Sequence, residues 1–127
     1  MADDLDGEIE RFHAKVEAGA HFAMTQPLFD PEHWHAFLKK LGGAPAIPVL
    51  IGVWPLNSYK QALRLNNEVP GIVIPPAVLK SMEVAGAAAR DCGFEVARKM
   101  MEWARTEMAG AYLIPPFKRY EDILELL

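Results

Sequence analysis

Residues 22–36 read FAMTQPLFDPEHWHA, and their order decides the fold. The run His21 to Gln26 predicts a buried strand that stops on the polar pair Thr25 and Gln26. Asp30 then offers an N-cap, Pro31 suits the first helical position, and Gly42 and Gly43 stop the helix. A strand, a short loop and a helix make the βα unit of an α/β protein, whose ligands gather at the carboxyl ends of the strands. Gln26 is on that ground a candidate ligand contact.

Outward from this unit the same order recurs without any repeated sequence. Upstream, Asp6 can cap a helix through about Ala18, with Ile9, Phe12 and Val16 on one face and Gly19 as the stop. Downstream, AIPVLIGVW (46–54) is a continuous apolar run, the pattern of a parallel strand covered on both faces. Asn57 or Ser58 can cap the helix SYKQALRLNNE (58–68), and VPGIVIPP (69–76) is a proline-rich connection. A short helix over Pro76 to Met82 and a long one over Val84 to Met108 lead to a third strand, GAYLI (110–114), which Pro115 and Pro116 stop. Tyr120 to Leu127 closes the chain as a helix. Parallel strands joined by helical crossovers form either an open sheet or a barrel. A closed (β/α)₈ barrel takes about 250 residues, so three strands supply only part of one.

Composition narrows the function classes. The 127 residues are 51% apolar, enough for one domain over residues 1–127 with its own core. A net charge of −4 from 17 acidic and 13 basic residues leaves no basic stripe, which argues against a nucleic-acid partner. The single cysteine, Cys92, excludes an internal disulfide and a Cys-based zinc framework, and reads as a small buried hydrophobe. The acidic, amphipathic start is unlike a signal peptide, and no apolar run approaches the roughly 20 residues that span a bilayer. A soluble, cytoplasmic protein with no membrane partner is expected.

No Gly-rich phosphate loop follows any of the strands. The strand ends carry Thr25 and Gln26, then Trp54, Asn57, Tyr59 and Gln61, then Phe117, Lys118 and Arg119. Amides can pair with ring donors and acceptors, aromatics can stack, and an arginine can take a carboxylate in bidentate fashion, so the set suits a flat heteroaromatic ligand bearing a carboxylate. His33 and His35 are not a metal pair: two residues apart on a helix, they point about 200° apart. No metal site is expected.

The strings KVEAGAHFAMTQPLFD, IPVLIGVWPLNSYKQALRLNNEVPGIVIP and GAYLIPPFKRYEDILELL, in this order, resemble the last third of methylenetetrahydrofolate reductase. TQPLFD, NNEVPG and LIPPF are most similar to the branch fused to a homocysteine S-methyltransferase. The resemblance runs from about Glu8 to Leu127 and implies an α/β fold, a partial TIM (β/α)₈ barrel made of its last three βα units. It implies a cytoplasmic flavoprotein oxidoreductase of one-carbon metabolism and methionine biosynthesis. In such an enzyme NAD(P)H reduces FAD, which then reduces 5,10-methylenetetrahydrofolate to 5-methyltetrahydrofolate.

By position, the resemblance assigns substrate binding to Gln26, Gln61 and Arg119, and cofactor binding to Lys15 and Glu8. Leu65 stands where some relatives carry a substrate-stacking phenylalanine. The family's general acid, a glutamate of the first strand, has no counterpart, so the resemblance assigns no catalytic residue and implies that catalysis requires the missing strands. These would come from a partner chain or a homo-oligomer. The alternative is a folate- or pterin-binding or interaction module without reductase activity, or a truncated homologue inactive alone. In either case, two unpaired sheet edges and an uncovered face bearing Val49, Ile51 and Val53 are expected to drive association.

Overall fold

A computed structural model of the chain describes residues 5–115 and 120–127. Its elements are α1 (Leu5–Glu17), β1 (Ala23–Pro27), α2 (Glu32–Leu41), β2 (Val49–Val53), α3 (Tyr59–Glu68), α4 (Pro76–Ala85), α5 (Ala89–Glu107) and β3 (Gly110–Leu113). The strands form one parallel sheet in the order β1-β2-β3.

Most helix ends follow the local chemistry read in the sequence. Asp30 accepts the Glu32 N–H at 2.5 Å, and Gly42 takes the left-handed conformation (φ +91°) that closes α2, its N–H reaching the Leu38 carbonyl. Ser58, not Asn57, caps α3 by accepting the Gln61 N–H at 3.1 Å. Three elements differ from expectation. α1 already includes Leu5, so Asp6 lies in its first turn and does not cap it. The break between α4 and α5 falls on a 3-10 turn, Gly86–Ala88, a few residues later than predicted. The closing segment Tyr120–Leu126 is 3-10 rather than α-helix.

Two apolar clusters hold the molecule together. In the larger, Phe12 of α1, Trp34 and Phe37 of α2, and Phe94, Ala97 and Met100 of α5 pack on Val49, Ile51 and Val53 of β2. These three β2 residues are therefore buried, Ile51 fully, and the expectation that they line an uncovered face is corrected. Side chains alternate along a strand, so the open face is the other one, which carries Met24 opposite Leu50 and Tyr112 opposite Gly52. The smaller cluster joins Ala62 and Leu65 of α3, Met82 of α4 and Ala89 of α5 with Leu56, Ile72 and Ile74. Leu65 is a core residue there, 5% exposed.

Candidate functional site

The carboxyl end of β1 is irregular. Its register with β2 shifts between Met24 and Pro27, and the Thr25 hydroxyl takes the place of a ladder acceptor, receiving the Gly52 N–H at 3.2 Å and donating to the Gln26 carbonyl at 2.7 Å. The Tyr112 hydroxyl crosses β2 and donates to the Thr25 carbonyl. It can cross because residue 52 is glycine: a Cβ there would lie 2.6 Å from the Tyr112 hydroxyl oxygen. Burial also raises the Tyr112 pKa. A local departure from the ladder of this kind re-aims side chains, and here it lies beside Gln26.

Gln26 faces a cavity of about 430 Å³ between α1, β1 and the connection after α3. Glu8, Arg11 and Lys15 recur at helical spacing on one face of α1 and form its charged wall, with Glu8 and Arg11 paired. Met24 and Gln26 form the opposite wall, Pro70 and Gly71 the rim, and Phe12, Trp34 and Phe37 the floor. The volume suits one drug-sized ligand. Three of the five residues singled out from sequence, Glu8, Lys15 and Gln26, thus share one cavity.

Gln61 does not join them. Its side-chain oxygen accepts the Asn57 N–H at 2.7 Å, which braces the turn from β2 into α3. Arg119, with Phe117 and Lys118, lies outside the described residues. Tyr59 bonds the Glu83 carboxylate, which raises the phenol's pKa and lowers the acid's. Trp54 packs against the smaller core cluster, as a rim residue does. His35 pairs with Glu107 at 2.8 Å, and no cluster of three metal-ligating side chains occurs among the described residues. Cys92 is half-buried beside a second, larger cavity of about 580 Å³ between α4 and α5, whose walls are mainly apolar and hold none of the five candidates.

Several contributors escaped the sequence reading, among them Pro70, Gly71 and Trp34. Pro70 and Gly71 are the central residues of a turn closed by the Ile72 N–H to the Val69 carbonyl at 3.3 Å, with Gly71 at φ +85°. Proline then glycine at these positions is the signature of a type II turn, and the string VPGI carries it openly. Trp34, 2% exposed, leaves its indole N–H without a hydrogen-bond partner among the described residues. Nothing in the sequence around Trp34 distinguishes it from an ordinary core residue.

No described helix is long and apolar enough to cross a membrane. A solved structure described as an uncharacterized protein from Clostridium thermocellum that binds two copies of 5-methyl-5,6,7,8-tetrahydrofolic acid shares the fold. Its TM-score is 0.60 at 16% identity, over 95% of this chain and 46% of that one. Methylenetetrahydrofolate reductase 1 of Schizosaccharomyces pombe is 31% identical over 74 residues, 58% of this chain and 12% of that protein. The chain thus spans about an eighth of that curated relative and less than half of the solved neighbour. The family model for methylenetetrahydrofolate reductase matches residues 1–111, and the chain belongs to that family.

Proposed function

We propose that this chain supplies the folate-binding side of a flavin-dependent methylenetetrahydrofolate reductase, with NAD(P)H as the reductant and a cytoplasmic place in methionine biosynthesis. The observation that carries the reading is the convergence of Glu8, Lys15 and Gln26 on one cavity. The Gln26 carboxamide offers a donor and an acceptor to the edge of a pterin. The ammonium of Lys15 suits a pyrophosphate, so the donor set fits the phosphate end of FAD, which when bound supplies the hydride chemistry. Gln61 keeps its NH₂ group for substrate while its oxygen holds the turn, and Arg119 is assigned to a substrate carboxylate.

The three βα units are the last of a (β/α)₈ barrel in this reading, with the other strands contributed by further chain, a partner chain or a second copy. Folate binding by the solved neighbour with the same fold supports the ligand class.

Two measurements test it. The purified chain is incubated with FAD, freed of excess cofactor and examined for a flavin absorbance band. 5-Methyltetrahydrofolate is then titrated calorimetrically into the chain and into Gln26→Ala. We expect Gln26→Ala to weaken binding about three- to tenfold, the range for loss of one or two neutral hydrogen bonds, with the fold intact. Unaltered affinity removes Gln26 from the site. Folate binding without a flavin band favours the second reading, a folate-binding module without reductase activity.

A further inference from the structure

We propose that Gly71 is a positioning residue for Gln26: the missing side chain at residue 71 is the space that the Gln26 carboxamide occupies. The inference rests on the reading of Gln26 as a pterin contact and extends it to a residue that touches no ligand itself.

A Cβ built at Gly71 would lie 2.9 Å from Cδ and 3.1 Å from Nε2 of Gln26, and nearer still to Oε1. No other group is among its nearest neighbours. The obstruction is therefore with the end of one flexible side chain, which can swing away, and not with backbone, which cannot. Adding a methyl group at residue 71 re-aims Gln26 before it disturbs the fold.

The loop is anchored well enough to make this placement specific. Ile72 and Ile74 are buried in the smaller core cluster, and the Ile74 N–H donates to Asn66 Oδ1 of α3 at 2.8 Å. The turn over Val69 to Ile72 sets Gly71 at φ +85°, a conformation glycine adopts without steric cost. On the strand side, the Thr25 hydroxyl donates to the backbone carbonyl of Gln26, which tethers the main chain from which the side chain springs. The carboxamide thus lies between a tethered strand end and a tethered turn, both lining the cavity, and keeps its place because residue 71 has no side chain.

Any side chain at residue 71 also strains the backbone, so a matched control is needed. Gly42 has φ +91° and open space where its Cβ would be, and it lies outside the cavity. Gly42→Ala therefore reproduces the backbone cost without displacing Gln26.

The test combines affinity for 5-methyltetrahydrofolate in Gly71→Ala, Gln26→Ala, the double variant and Gly42→Ala with a ligand-free NMR readout, the Overhauser contact between the Gln26 side-chain amide and the Gly71 Hα protons. The inference expects that contact in the parent chain and its loss in Gly71→Ala. It also expects a three- to tenfold weaker affinity in Gly71→Ala, no further loss on adding that change to Gln26→Ala, and parent affinity in Gly42→Ala. Equal losses from Gly71→Ala with and without Gln26, or parent affinity in Gly71→Ala beside weak binding in Gln26→Ala, overturn it. If Gln26→Ala itself binds normally, the pterin-contact reading fails, and the Overhauser contact alone decides whether Gly71 positions Gln26.

Discussion

Gly93 shows how closely single residues are fitted. It lies in α5 where that helix crosses the loop leaving β2, and a Cβ there would come within 2.8 Å of the Leu56 carbonyl carbon and 2.9 Å of Leu56 Cβ. Leu56 is fully buried and cannot retreat. Gly93→Ala is expected to destabilise the chain by about 3 kcal/mol, the upper part of the usual overpacking range, read as a shift of the urea midpoint. A midpoint within error of the parent would mean that α5 does not pack this tightly. Sequence reading did not find Gly93, because a glycine inside a helical pattern carries no sign of what crosses it. The place of Gln26 at the carboxyl end of β1 was legible, since a polar residue closing a strand of a βα unit is placed by topology. Gln61 was legible as an amide near a strand end, but that the Asn57 N–H four residues before it would claim its oxygen showed only once the loop was built.

Between elements, the exposed link of α2 to α5 is a further reading. His35 Nε2 meets Glu107 Oε2 at 2.8 Å, with the imidazole edge-on to Trp103. The hydrogen bond from His35 is the largest influence holding the Glu107 carboxyl below its ordinary value of 4.5. A depressed acid binds fewer protons folded than unfolded, so its contribution to stability is present above about pH 4.5 and is lost as the pH falls through the lower folded value. Both partners are more than two-fifths exposed, so the effect on stability is small, but the titration itself is readable. Carboxyl NMR should place the Glu107 midpoint below 4.5, and His35→Ala should raise it toward that value. A midpoint indifferent to His35→Ala would dissolve the link. Of the elements themselves, α2 and α3 were legible because Asp30, Gly42 and Ser58 mark their ends chemically. The α4–α5 break was misplaced because Gly86 sits among alanines that favour helix on either side.

For the whole molecule, the arrangement of faces was the part that sequence could not supply. A parallel sheet is ordinarily covered on both sides, and AIPVLIGVW is apolar at nearly every position, so no alternation reveals which side the helices take. The helices take the side of Val49, Ile51 and Val53, leaving Met24, Leu50 and Tyr112 on the open one. Met24 is 53% exposed and Phe22, just before the strand, 56%. Both lie at β1, an edge strand of the sheet, where alternate backbone groups face away from β2. An apolar, unpaired edge beside an open face is an association surface, and this is where a second copy or a partner's strands would join. Sedimentation velocity of the chain should show a weight-average mass that rises with concentration. Met24→Lys, which sets a charge on the exposed edge and lies outside the buried core clusters, should lower that association while leaving the thermal midpoint within about three degrees, because surface changes rarely exceed 0.5 kcal/mol. A parent chain that stays monomeric at about 100 μM, far above the micromolar range in which ordinary specific interfaces form, would show that the open face needs no cover, and the requirement for a partner would fall with it.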